Sequence, residues 1–322
     1  MNTFLEQLNF GWTALPAALL FLTAPLGLGL VMLRHLLRLT PKDGLSYGLA
    51  AYVVGLNLIA LIVLGAGCTG ILGAGFTWGF LSAANIPVLA AAPRIGKILW
   101  RFACRNRLFT VLLAAGFLLI LGSALCFPYS WDEYSYQVAV PRRWLDTGTL
   151  EVFMDNPYSA FPSLSQFISR MFMEIGGIFM PRITCCILYG IFFLSLYRIL
   201  SVYTARLYAA VIAVSLFLAP VFLVMMRETY AEPFMLVDMA AIFLRPYAFG
   251  RRNGGRIWLL SGFFCGAALA VKLTGAGLAP PVLVYLYFAA PELRRHPMEL
   301  LKKVVLFGAV AFIFALPFYL RT

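Results

Sequence analysis

Long apolar runs push the charges of this chain aside, and that constrains its fold more than any other feature. Ten stretches, near residues 13–33, 46–66, 69–92, 108–127, 182–199, 206–226, 233–246, 257–271, 274–290 and 303–319, hold few ionisable side chains. A helix needs roughly 20 apolar residues to cross the hydrocarbon of a bilayer, and most of the runs are near that length. Hydrophobic residues make up 62% of the 322 and charged residues only 12%, about half the charge of a soluble domain. Water could not solvate such a surface, whereas lipid can, provided every backbone polar group is satisfied within helices. The expected fold is all-α: a polytopic integral membrane protein of about 10 transmembrane helices.

The gaps between the runs alternate in charge. Segments 34–44, 93–107, 198–206, 245–256 and 291–303 hold 18 of the 25 Lys and Arg residues, against only Asp43, Glu292 and Glu299. The remaining basic residues are Arg142, Arg143, Arg170, Arg182, Arg227, Lys272 and Arg321. They share the other side with Glu6, Asp132, Glu133, Asp146, Glu151, Asp155, Glu174, Glu228 and Glu232, which leaves Asp238 inside a run. By the positive-inside rule the first set is cytoplasmic and the N-terminus outside. The net charge of +12 is therefore a topology signal, and no nucleic-acid partner is expected. Met1–Phe10 has no Lys or Arg, so it does not read as the basic start of a cleaved signal.

Several local patterns have ordinary readings. Gly65-Ala-Gly67-Cys-Thr-Gly70 fits a dinucleotide fingerprint in spacing, but it lies between two membrane helices, without the βαβ unit that motif requires. It reads as a tight outer turn. Gly75 and Gly79 read as helix packing. The six cysteines form no C-x-x-C pair and read as thiols in helices. The two histidines, His35 and His296, both fall on the cytoplasmic side, which excludes a histidine-based triad or zinc site on the outer face. An outer general base must then be a carboxylate.

Two stretches do not read as simple spans. Residues 163–180 carry Arg170 and Glu174 in an apolar setting, which predicts a helix lying at the outer interface. Residues 257–290 are interrupted by Lys272-Leu-Thr-Gly275. A break there leaves 257–271 about 23 Å long at 1.5 Å per residue, which predicts Lys272 below the outer surface, in a cavity.

The outer segment 128–165 is the longest connection and holds Asp132, Glu133, Asp146, Glu151 and Asp155, with Arg142, Arg143 and several aromatics. Long connections tend to be functional. Asp132 and Glu133 follow a span directly, where low dielectric suits a carboxylate base. A second acidic cluster runs from Arg227 to Glu232, followed by Asp238. Asp238 is either a functional group within a span or a structural partner of Lys272 or Arg227.

Taken in order, these segments resemble the GT-C glycosyltransferases, and within them the bacterial branch of protein O-mannosyltransferase-like and aminoarabinose-transferase-like enzymes. Asp132-Glu133-x-x-Tyr136 with Trp144 and Gly148 is similar to that family's first outer loop. Thr229-Tyr-Ala-Glu232 leading to Asp238 looks like its second acidic region. Lys272-Leu-Thr-Gly275 resembles its Lys-x-Ser/Thr-Gly break, and Leu316-Pro-Phe-Tyr-Leu-Arg321 its Pro-aromatic exit from a helix. The resemblance covers about 108–322 and divides the chain into an N-terminal three-helix membrane segment, 1–107, and a GT-C-like core, 108–322, whose outer loop carries interfacial helices. Two departures go with it: three helices precede the core, and the chain ends at Thr322, as in a truncated or short form.

The resemblance implies sugar transfer from a polyprenyl-phosphate donor to a glycan, lipid or protein acceptor by a single inverting displacement. It implies a site outside the cytoplasmic membrane, in the bacterial case facing the periplasm or exterior. Asp132 is then the candidate base, with Glu133 beside it. Arg227 and Lys272, backed by Arg142, Arg143 and Arg321, are candidates for the donor phosphate. Tyr136, Trp144, Tyr158, Glu232 and Asp238 are candidates for sugar or acceptor contacts. A divalent metal is possible on Glu133 or Glu232; no other cofactor is implied. Two competing readings are a transporter or flippase of lipid-linked sugar, which intramembrane charges and broken helices also suit, and a non-catalytic membrane assembly partner.

Overall fold

A computed structural model describes residues 15–125, 130–161, 163–249, 254–289, 294 and 296–321. Met1–Phe10 and its outside placement, Cys126, the first residues of the outer loop, Arg251, Arg252, Glu292, Arg295 and Thr322 lie outside the described residues.

The described residues are mostly helical, with no strand among them. In chain order the helices are α1 (Leu15–Leu36), α2 (Gly44–Cys68), α3 (Ala74–Arg105), α4 (Arg107–Ala124), α5 (Ala139–Thr147), α6 (Leu164–Gly176), α7 (Met180–Tyr203), α8 (Arg206–Phe217), α9 (Pro220–Met225), α10 (Glu232–Ala248), α11 (Gly254–Val271), α12 (Ala279–Ala289) and α13 (Pro297–Leu320). Five stretches are long and apolar enough to cross a membrane: α1, α2, α3, the continuous Leu164–Tyr203 and α13. The other apolar runs are also helical but shorter. The run 206–226 divides into α8 and α9 at Pro220, which lacks the N–H an unbroken helix would use. The chain is an integral, multi-pass membrane protein.

Its surface supports this. Large apolar side chains stand exposed on the peripheral helices, among them Trp100, Leu119, Val305 and Ile313, while Asn57, Arg182 and Asp238 are buried. A bilayer tolerates that distribution and water does not. Backbones approach closely where side chains are small. A Cβ on Gly29 of α1 would lie 1.7 Å from the Ala51 carbonyl oxygen, and one on Gly55 of α2 1.7 Å from that of Pro25. The α1–α2 pair is thus sealed by glycine, as membrane helices without a hydrophobic driving force require.

Contacts sort the connections into two ends. At the basic end Asp43 caps α2, accepting from the Ser46 N–H at 2.9 Å, and pairs with Arg198 of α7 at 3.3 Å. There too the Lys42 N–H donates to Ala248, and Arg256 to the Arg38 carbonyl. At the acidic end, segment 130–161 meets the starts of α7 and α10 and the end of α13. The turn Gly65–Gly70 lies at this end: Gly70 has a φ of +71°, and a Cβ on Gly67 would strike Leu150.

Two local expectations change. Helix α6 does not rest on the surface, since all its residues but Glu174 are buried. It packs beneath α5 and against α2, and its Arg170–Glu174 pair lies within this packing. The break after α11 is present: Lys272 is extended and Leu273–Leu278 forms a 3-10 turn before α12. Lys272, however, is half exposed at the rim.

Candidate active site at the acidic end

The segment after α4 folds onto the bundle because its aromatic residues find partners there. Residues Glu133–Gln137 form one π-helical turn that leads into α5. Trp144 of α5 is fully buried, stacks on Phe167 of α6 at 5.2 Å and donates its indole N–H to the Glu151 carbonyl at 2.8 Å. Gly148 then ends α5 in the left-handed conformation, φ +72°, which glycine adopts without steric cost. Arg321, beyond α13, lies 4.5 Å over the Trp144 ring and donates to the Ser159 carbonyl at 2.6 Å. Burial brings its guanidinium down to about 10, so it is charged at neutral pH.

The π-turn sends two adjacent carboxylates in different directions. Glu133 points inward and is fully buried. Arg182, at the start of α7, grips it with two hydrogen bonds, Nε to Oε1 at 2.6 Å and Nη2 to Oε2 at 2.5 Å. The Thr229 N–H adds 2.9 Å to Oε1 and the Ser130 hydroxyl 3.2 Å to Oε2. Burial alone would raise the Glu133 pKa, but Arg182 and the backbone N–H groups of Thr229 and Ser130 outweigh it and hold the carboxyl below its usual range. Asp132 is only partly exposed and is hydrogen-bonded by the Tyr136 phenol. Burial and the Asp132 charge push Tyr136 up to about 12, so it remains a donor.

Opposite Asp132 stands the segment 227–232. Tyr230 is hydrogen-bonded to Glu228, and burial together with Glu228, Asp132 and Glu232 raises its phenol. Glu232 begins α10 and accepts from Lys272 Nζ at 3.1 Å. Arg227 is exposed and forms no ion pair among the described residues. Asp132, Tyr136, Tyr230, Glu232 and Lys272 thus gather from three separate parts of the chain, with Arg227 on the segment beside them. Tyr158 stacks on Tyr136 at 5.2 Å and meets Trp131 edge-on at 5.5 Å, giving a partly exposed aromatic rim.

Several sequence-derived assignments change. Trp144 cannot touch a sugar, because no part of it is exposed; it anchors α5. Asp238 is remote from the rim, 6 residues along α10 from Glu232, and accepts from Asn57 of α2 at 2.6 Å. Neither Lys272 nor Arg227 is its partner. Arg142 and Arg143 pair with Asp146 and Asp155 of their own segment, and Arg143 lies 4.0 Å over Phe153. Both brace the segment, and Arg321 pins it to α13. Glu133 has its lone pairs engaged and Glu232 holds Lys272. Among the described residues no three His, Cys, Asp or Glu side chains group as metal ligands. Arg182 and Tyr230 belong to the site but were not singled out from the sequence. The signal for Arg182 was a guanidinium heading a span opposite an acidic segment.

With this geometry in place, the chain can be compared with known proteins. Residues 161–320, just under half the chain, match the family model described as dolichyl-phosphate-mannose-protein mannosyltransferase, a GT-C family domain. The match spans Arg182, the cluster 227–232, Lys272 and the end of α13, and begins after Asp132. No curated protein and no solved structure matches the chain.

Proposed function

We propose that this GT-C membrane glycosyltransferase takes its sugar from a polyprenyl-phosphate donor and transfers it to an acceptor at the acidic end, with Asp132 as general base. The observation that carries the proposal is the division of labour in the Asp132–Glu133 pair. Arg182, Thr229 and Ser130 occupy Glu133, whereas Asp132 has Tyr136 behind it and a partly open face.

The step is a single displacement. A lone pair on an acceptor hydroxyl or amine forms a bond to the anomeric carbon. The bond from that carbon to the phosphate oxygen breaks, and its electrons leave with the polyprenyl phosphate. The acceptor's proton passes to Asp132, which becomes a neutral acid; attack opposite the leaving group inverts the anomeric centre. Charge develops on the leaving phosphate, so cations placed there stabilise the transition state more than the ground state. Arg227, exposed and without a carboxylate partner among the described residues, and Lys272 at the rim supply it. Tyr158 and Tyr136 offer apolar faces on which a sugar ring can stack. The charge alternation of the connections supports placing this end outside the cytoplasmic membrane.

The test is transfer of labelled sugar from a polyprenyl-phosphate donor by the purified protein. Asp132→Asn should lower kcat by about 10²–10⁴-fold, the usual contribution of a positioned base, with the melting temperature little changed. A variant as active as the wild type would refute Asp132 as base. A protein that binds and moves the lipid-linked sugar without breaking its phosphate bond would be a flippase.

A further inference from the structure

A sizeable cavity opens at the other end. It occupies about 880 Å³ between α1, α2, α3 and α7, and is lined almost entirely by apolar side chains. Its mouth is not apolar: Arg34, His35, Arg38 and Arg94 line it, all exposed, and no Asp or Glu does. Asp43, the nearest acidic residue in sequence, is hydrogen-bonded to Ser46 and paired with Arg198. Tyr47 and Tyr52 of α2 also line the cleft. The hydroxyls of Tyr47 and Tyr52 are buried, and neither has a hydrogen-bond partner among the described residues.

We infer that this cleft is a binding site for an acidic phospholipid. Its chains fill the apolar interior and its phosphate sits among Arg34, Arg38 and Arg94. The rings of Tyr47 and Tyr52 add to the wall against which the chains pack. The volume is that of a ligand pocket for a large apolar molecule, and a basic pocket between membrane helices is the arrangement that recognises anionic lipid headgroups. The site lies almost wholly on the N-terminal helices, outside residues 161–320 that match the family. None of its lining residues belongs to the transfer site, which is at the acidic end.

Gly48 allows a test that leaves the charges in place. It lines the cleft, and a Cβ there would meet nothing within 4 Å, so Gly48→Trp fills the space without a backbone clash. The full chain, exchanged into nanodiscs of phosphatidylglycerol, phosphatidylcholine or a mixture, is released and weighed with its retained lipid by native mass spectrometry. Wild type should retain phosphatidylglycerol over phosphatidylcholine. The triple variant R34Q/R38Q/R94Q should bind phosphatidylglycerol on the order of a hundredfold more weakly, at roughly one surface cation's worth per Arg. Gly48→Trp should retain neither lipid in the cleft. Equal retention of both lipids by the wild type, or unchanged phosphatidylglycerol in either variant, overturns the proposal. So does displacement of the lipid by millimolar inorganic phosphate, which would assign the cations to a free anion. A dimer that Gly48→Trp dissociates would assign the cleft to a second copy and also overturn it.

Discussion

At the acidic end Glu133 and Arg182 face each other with neither side chain reaching solvent; at the basic end Asp43 and Arg198 form the corresponding pair with 33% and 27% of their side chains exposed. Both join an early segment to α7. They differ in what surrounds them. Glu133 has two further donors in Thr229 and Ser130, as a buried charge requires if its desolvation is to be offset. Asp43 has Ser46 and open water. The buried pair fixes the direction of the π-turn, and with it where Asp132 points. The exposed pair closes a helix end and fixes nothing further.

Removing one partner of the buried pair should have the largest effect. Arg182→Leu leaves Glu133 buried without its cation, and a loss of about 3–5 kcal/mol is expected, read as a lowered melting temperature in detergent. The double variant E133L/R182L, with no stranded charge, should recover most of that stability. Its transfer should stay low, because Asp132 loses the fixed turn. A double variant with wild-type kcat would mean that the pair holds the fold and not the base. Burying Trp144 under Arg321 belongs to the same end: Trp144→Ala should cost about 3–5 kcal/mol through the cavity it leaves beneath α5.

The next effect is one of pH. The folded-state pKa of Glu133 is depressed, so its contribution to stability is fully present above the unfolded value, near 4.5, and is lost as pH falls through the folded value. Melting temperature should therefore fall as pH drops below about 4.5, and the fall should be shallower in E133Q/R182Q. Asp43 is also held below its usual value: burial alone would raise it, but its hydrogen bonds from Ser46 and the charge of Arg198 outweigh that, so part of the acid loss should survive in the double variant.

The contrast also shows what a sequence can display. Period, length and charge alternation are one-dimensional, and they carried the helices, the two ends and the break at Lys272. The family's motif order carried the approach of 128–165 to 227–232. Partner choice is three-dimensional and was not visible. Asp238 takes Asn57, 181 residues away, where the sequence offered Lys272 or Arg227. Trp144 resembled a sugar platform because an aromatic beside carboxylates looks the same in sequence whether it faces solvent or α6. Helix α6 carries Arg170 and Glu174 at i and i+4. That spacing allows them to neutralise each other inside the packing, and it equally fits a surface helix.

The smallest expected stability change tests whether exposure or function separates the two ends. Lys272 and Glu232 are at the acidic end, yet their side chains are 51% and 29% exposed, closer to the basic-end pair than to Glu133–Arg182. Lys272→Gln should therefore cost no more than about 1 kcal/mol, within the range expected for Arg198→Ala. If the acidic end is the transfer site, the two variants part on activity: Lys272→Gln should lower kcat/KM by at least tenfold through loss of a cation near the leaving phosphate, while Arg198→Ala leaves it unchanged. Equal activities would confine the special character of this end to the buried pair and remove Lys272 from the phosphate site. A divergence would mean that the exposed cation acts on the reaction and contributes little to the fold.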